Sequence, residues 1–296
     1  MFQIASFDAG DGPVVGLRNG DDYYASETFG SARQIIDQWP LAIDKLGTAA
    51  ERLASRTPLR DVKLLAPLAE PRNIYIVGAN YTDHIEEMAR ALGVELLADA
   101  KDRGYPPWFV PKSTSSVVGP GAQVRRPEGV QRLDWELELA VIIGRAGSDV
   151  PVEQALDYVA GYTAANDLSA RDRMARDYEA PESALRLDWL RHKSFAGSCP
   201  LGPAITPAAL VDNVQNLGMK LWVNDELMQD SSTSRMIYGV ADLVSGLSRQ
   251  VPIAPGDVIL SGTPAGVGSA QGRFLQPGDR VRQQIDQIGE FEITIT

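Results

Sequence analysis

One cysteine, two histidines and a shortage of basic residues limit this 296-residue chain before any motif is read. Cys199, standing alone, excludes an intrachain disulfide and a thiolate metal cluster. His84 and His192 are too few for a three-histidine zinc site, so a bound metal must be held mainly by oxygen. Lys and Arg number 28 against 39 Asp and Glu, a formal charge of -11 that disfavours a nucleic-acid phosphate backbone as partner. No run of about 18 apolar residues is present. The opening Met1-Phe2-Gln3-Ile4-Ala5-Ser6-Phe7-Asp8 has neither the basic n-region nor the apolar core of a signal peptide. The expectation is a cytoplasmic protein whose partner is neither nucleic acid nor membrane. With 44% hydrophobic and 23% charged residues, the chain has an ordinary globular composition and length for one large domain with an appendage, or two domains.

Residues 1–70 read as a small leading α+β unit. Short strands are expected at 2–7, 14–17 and 23–24, separated by Gly- and Asp-rich turns, with helices over 31–39 and 42–54 and Ser31 as the N-cap of the first. Pro58, Pro67 and Pro71 punctuate a linker-like stretch. From 71 to 296 the texture changes to many short strands, expected at 73–78, 117–118, 133–143, 158–164, 219–223, 257–261, 280–286 and 290–295, with few helices beyond one over 82–92. That pattern predicts a β-rich α+β roll or barrel rather than an alternating βαβ sheet.

Within Leu133-Asp134-Trp135-Glu136-Leu137-Glu138-Leu139-Ala140-Val141-Ile142-Ile143-Gly144, alternation puts Leu133, Trp135, Leu137, Leu139 and Val141 on one face. Asp134, Glu136, Glu138, Ala140 and Ile142 share the other. Two carboxylates on one face of a desolvated strand repel and require a shared proton or a cation. About thirty residues on, Asp167 ends a strand of small and apolar residues. Glu136, Glu138 and Asp167 would supply three oxygen ligands and leave open positions for substrate and water. Spacing alone equally admits a solvent-facing amphipathic edge.

Several blocks occur in one order: Gly78-Ala79-Asn80-Tyr81-Thr82-Asp83-His84, Val118-Gly119-Pro120-Gly121, the segments 133–144 and 157–172, Lys193-Ser194-Phe195, Asn224-Asp225-Glu226, Pro255-Gly256-Asp257-Val258-Ile259 and Gly262-Thr263-Pro264-Ala265-Gly266-Val267-Gly268. In this order, from about residue 73 to the end, the chain resembles the fumarylacetoacetate hydrolase family. The resemblance implies a β-rich catalytic fold, a divalent cation (Mg2+ or Mn2+), 2-oxo acid substrates and a homodimer. It puts the metal ligands at Glu136, Glu138 and Asp167, and substrate contacts at Thr263, Tyr81 and Arg171.

His84 and Glu87, at i and i+3, share one side of the expected helix, where the carboxylate can fix the imidazole tautomer for general-base work on water. An isolated pair of this kind is more often incidental on a surface helix; relatives similar to this chain carry it on a lid over the substrate. Lys193 can hold an oxo or enolate oxygen as negative charge develops. His192 reads as structural or exposed, and Cys199 as a small buried side chain. Gly262 to Gly268 lacks the Gly-Lys-Ser/Thr ending of a phosphate-binding loop.

The activity this implies is metal-dependent hydrolysis of the C3–C4 bond of a 2,4-dioxo acid to pyruvate and a carboxylic acid. Decarboxylation, or isomerisation and tautomerisation of a 2-oxo dicarboxylic acid, would use the same enolate. Two departures stand out. Arg171-Asp172-Arg173-Met174 replaces the Arg-Asp-Trp-Gln of many relatives, and the stretch 93–110, ending in Tyr105-Pro106-Pro107-Trp108-Phe109, suggests a more apolar pocket.

Overall fold

The computed structural model describes residues 2–296. An eleven-stranded sheet runs through the molecule. Its path passes from Asp22–Ala25 through Pro13–Asn19, Gln3–Asp8, Cys199–Pro207, Val159–Asn166, Leu137–Ile143, Val258–Leu260 and Ile74–Val77 to Phe109–Lys112, with two short strands attached at its sides. A five-stranded sheet orders Glu226–Ser232, Gly218–Val223, Arg280–Ile285, Gly289–Ile295 and Gln123–Val124. Strand-rich α+β architecture is therefore present, but both sheets keep free edges among the described residues, so no closed barrel forms. Among the described residues, no helix is long and apolar enough to cross a membrane.

The leading segment joins this sheet rather than building one of its own: Gln3–Asp8 pairs with the much later Cys199–Pro207 through Ile4 and Ile205. Its helices, Ala32–Asp37 and Trp39–Glu51, begin as their sequence directs. Ser31 accepts a hydrogen bond from the Gln34 amide, and Pro40 lies at the start of the second, where a missing N–H costs nothing.

Leu137–Ile143 is buried on both faces, as expected of a central strand. Leu137, Leu139 and Val141 enter the core shared with the five-stranded sheet, while Ala140 and Ile142 enter the core under the leading helices. The strand expected over 133–143 is interrupted at Trp135 and Glu136. There the Glu136 amide donates to Asn166 Oδ1 at 3.0 Å and the Glu136 carbonyl accepts from the Asp167 amide at 2.9 Å. The break rotates Glu136 out of the ladder while holding it against Asp167.

Cys199–Pro207 carries Pro200, Pro203 and Pro207, which argue against a central strand, yet it lies in mid-sheet. Its ladder with Val159–Asn166 shifts register between Tyr162 and Ala164, an irregularity that accommodates residues unable to donate. Asn224 and Asp225, both at positive φ (51° and 68°), turn a two-residue hairpin between Gly218–Val223 and Glu226–Ser232.

Leu139 packs on the back of the strand that carries Glu138 and is fully buried. Leu139→Ala is expected to lower stability by about 2–5 kcal/mol with an unchanged denaturant slope, measured by urea unfolding.

Candidate metal centre and active site

Glu138 in the strand Leu137–Ile143, Glu136 in the break just before it and Asp167 just past the neighbouring strand Val159–Asn166 converge, with one carboxylate oxygen of each within 4.8 Å of the others, all three buried. Burial of like charges demands compensation, and three cations provide most of it. Lys193 Nζ donates to Glu136 Oε2 at 2.7 Å and to Asp167 Oδ2 at 2.6 Å. Lys112 Nζ donates to Asp167 Oδ1 at 2.7 Å and to the Lys193 carbonyl. Arg171 spans Glu136 Oε1 at 2.6 Å and Asp134 Oδ2 at 2.8 Å. Asp134 also accepts the Gly268 and Ser269 amides at 2.7 and 3.0 Å, tying the glycine-rich loop to this network.

The charge of Glu138 is left over. Among the described residues it joins no ion pair, and its Oε2 accepts only the Gly262 amide, at 2.6 Å. Burial, with Asp167 and Glu136 beside it, pushes its pKa well up. Burial also works against ionised Glu136, but Lys193 and Arg171 outweigh that and hold it below the usual carboxylate range. Lys193 is treated likewise: burial opposes its charge, and Asp167 and Glu136 keep it on.

With Glu136, Glu138, Asp167 and Asp134 ionised, the cluster carries one more negative than positive charge. A divalent cation reverses that sign, which suits an anionic substrate. Three hard oxygen donors with the unneutralised Glu138 among them fit Mg2+ or Mn2+. Glu136, Glu138 and Asp167 are the residues that would hold it.

A cavity of about 280 Å³ opens on these carboxylates and is lined also by His84, Lys193, Arg171 and Thr263. His84 lies on the helix Thr82–Leu92, whose bounds match the sequence expectation. Its Nδ1 is 3.3 Å from Glu87 Oε2. A carboxylate only accepts, so Nδ1 carries the proton and Nε2 remains as the basic nitrogen. Glu87 is itself anchored, its Oε1 accepting the Gly266 amide at 2.9 Å. Thr263 Oγ1 accepts from Gln229 Nε2 at 2.9 Å, leaving its own proton for an acceptor in the cavity.

One expectation needs correction, and one of two readings is decided. Tyr81, expected at the substrate, is fully buried in the core with its hydroxyl 3.1 Å from Met219 Sδ, and it does not line the cavity. The reason is the strand-to-helix bend before Thr82: His84 faces the cavity, and Tyr81 faces the core. His192, read as structural or exposed, is buried and does line the cavity, with neither ring nitrogen hydrogen-bonded. Burial, with Lys193 and Arg171 close by, pushes its pKa down to about 2, so the ring is neutral. Cys199 is buried as expected, and burial drives its thiol up to about 12.

Lys112 escaped the sequence reading. Its signal was the alternation in Phe109–Lys112, where Val110 and Lys112 both turn inward while Pro111 is exposed. A lysine in phase with a core valine is a buried cation awaiting an anion.

Residues 73–296 match the family model for the fumarylacetoacetate (FAA) hydrolase C-terminal region. The chain belongs to the fumarylacetoacetate hydrolase family. An oxaloacetate tautomerase, mitochondrial, from Xenopus laevis is 39% identical over 260 residues, which is 87% of this chain and 76% of that protein. The solved structure of a putative HpcE protein from Mycobacterium smegmatis has a TM-score of 0.80 at 30% identity, covering 100% of this chain and 99% of that one. A maleylpyruvate hydrolase from Sphingobium sp. SYK-6, solved with manganese(II) and pyruvate, has a TM-score of 0.77 at 28% identity, covering 99% and 98%. Relatives of this chain thus include a hydrolase and a tautomerase.

Because the folded protein holds the Glu138 proton more tightly than the unfolded chain, Glu138 contributes stability at low pH that fades as pH rises through its elevated pKa. A cation must displace that proton, so its affinity rises over the same window. The increase in melting temperature given by Mg2+ is therefore expected to grow as pH rises from the ordinary carboxylate range toward the elevated pKa of Glu138, and Glu138→Gln to abolish it. A pH-independent increase would contradict the assignment.

Proposed function

We propose that the protein is a divalent-metal-dependent enzyme of enolate chemistry on 2-oxo acids, and that it hydrolyses the C3–C4 bond of a 2,4-dioxo acid. One observation carries this reading: His84, the acidic triad and Lys193 line a single cavity, with Glu87 behind His84 at its Nδ1. A bound divalent cation would supply Lewis acidity for the 2-oxo acid head group.

The chain's own residues supply the rest. Thr263 donates its hydroxyl proton to the substrate carboxylate. Arg171, whose guanidinium has donors beyond those committed to Asp134 and Glu136, meets the same end. His84 takes a proton from water through Nε2, with Glu87 fixing the ring and stabilising the imidazolium that forms. The hydroxide adds to C4, the C3–C4 bond breaks, and its electron pair passes to C3 and the 2-oxo oxygen as an enolate. Lys193 spends two of its three N–H donors on Glu136 and Asp167, leaving the third for the developing oxyanion. Return of the proton to C3 gives pyruvate beside the carboxylic acid.

A second reading is favoured by the identity to an oxaloacetate tautomerase. With no water delivered to C4, His84 would move a proton at C3 between the keto and enol forms of a 2-oxo dicarboxylate. The decisive assay follows pyruvate release from acylpyruvates and enol absorbance of oxaloacetate, each with Mg2+ and with EDTA. Mg2+-dependent pyruvate release is expected, falling by about 10²- to 10⁴-fold in His84→Ala while the Mg2+-induced thermal shift persists. Enol loss without pyruvate release would select the tautomerase. No turnover of either class would refute both.

A further inference from the structure

The polar groups of the cavity account for the 2-oxo acid head, and the remaining wall is of another kind. Ile76, Val110, Met88, Met174, Trp108 and Trp189 make up its large apolar side chains together with Val77. Trp108 and Trp189 meet edge to face, with ring centroids 5.2 Å apart and planes at 70°. Trp189 is in turn 5.7 Å from the ring of His192, which burial and neighbouring cations keep neutral.

Cations for a second carboxylate are scarce. Lys193 and Arg171 are the two that line the cavity, and each is already bonded to buried carboxylates. Met174 adds a thioether where a polar amide would have been able to meet a polar tail.

Trp108 is also built into place. Its carbonyl accepts the Gly78 amide at 3.1 Å, and its six-membered ring occupies the space that a Cβ at residue 78 would fill. Half of its surface, 51%, nevertheless stays open. An indole fixed by the backbone yet exposed at a cavity gains from covering by an apolar group.

From these features we infer that the substrate's tail, beyond the 2,4-dioxo head, is an uncharged aromatic or bulky alkyl group that packs on the Trp108–Trp189 pair. The inference rests on the 2-oxo acid reading of the same site and names the substrate class within it. It sets this chain apart from an enzyme selecting a dicarboxylate.

The test compares kcat/KM of the Mg2+-loaded protein for a 2,4-dioxo acid bearing a phenyl group at C4 with that for its methyl counterpart. The phenyl substrate is expected to win by about tenfold to a hundredfold, the range that apolar pocket contacts provide. Trp108→Ala should bring this ratio toward one. Gly78→Ala should do the same without touching either tryptophan codon, because its methyl group evicts the indole. Trp189→Leu is the companion variant should either fail to fold.

A ratio near or below one in the unaltered protein, or one that survives in folded Trp108→Ala, overturns the inference while leaving the 2-oxo acid reading intact. If neither substrate turns over, the catalytic reading fails separately. Equilibrium titration then decides the tail alone: phenylpyruvate binding tighter than pyruvate supports it, and equal affinity overturns it.

Discussion

Everything at this site depends on a fourth buried carboxyl group, Glu138, that has no ion-pair partner among the described residues. Glu136, Glu138, Asp167 and Asp134 lie among residues with almost no access to water, where an uncompensated carboxylate costs several kcal/mol even after relaxation. Lys193, Lys112 and Arg171 repay that cost at three of the four by direct ion pairs. The fourth, Glu138, has a backbone amide as its hydrogen-bond partner and no ion pair among the described residues, and burial with two like charges beside it outweighs the pull of Lys193. The fold thus concentrates its unfinished electrostatics on one oxygen pair that faces a cavity.

The same network fixes the other polar groups at the cavity. Asp134 holds both Arg171 and the amides of Gly268 and Ser269, so the cation cluster and the glycine-rich loop move together. Gly266 in that loop donates to Glu87, which orients His84. Gly266 has φ of 100°, and a Cβ there would collide with the Met228 carbonyl; only glycine lets the loop pass closely enough to make that bond. Gln229, next along, receives the Leu137 amide and points its own amide at Thr263. His84, Lys193 and Thr263 are each held by a neighbour that also touches the carboxylate-bearing strand or its loop.

Much of this was legible in the residues because two carboxylates at i and i+2 on an apolar strand violate the burial pattern, and violations mark function. The helix Thr82–Leu92 was readable from its apolar spacing, and its pairing of His84 with Glu87 from the i, i+3 geometry. Cys199–Pro207 was not, since three prolines contradict a central strand unless the register slips, and slippage is set by partners distant in sequence. Lys112 was missed for a related reason: its meaning lies in an anion 55 positions away. Tyr81 misled because motif order says that a residue is near a site and not which side of a bend its ring takes. His192 was left open between structural and exposed because burial of a neutral histidine beside cations leaves no periodic trace.

The claim that the surplus charge of Glu138 seats a divalent cation is tested most directly by anomalous diffraction from Mn2+-soaked crystals. A single strong peak is predicted about 2.1 Å from carboxylate oxygens of Glu136, Glu138 and Asp167 together. A peak elsewhere, or none among these three side chains with Lys193 still bridging Glu136 and Asp167, would contradict it.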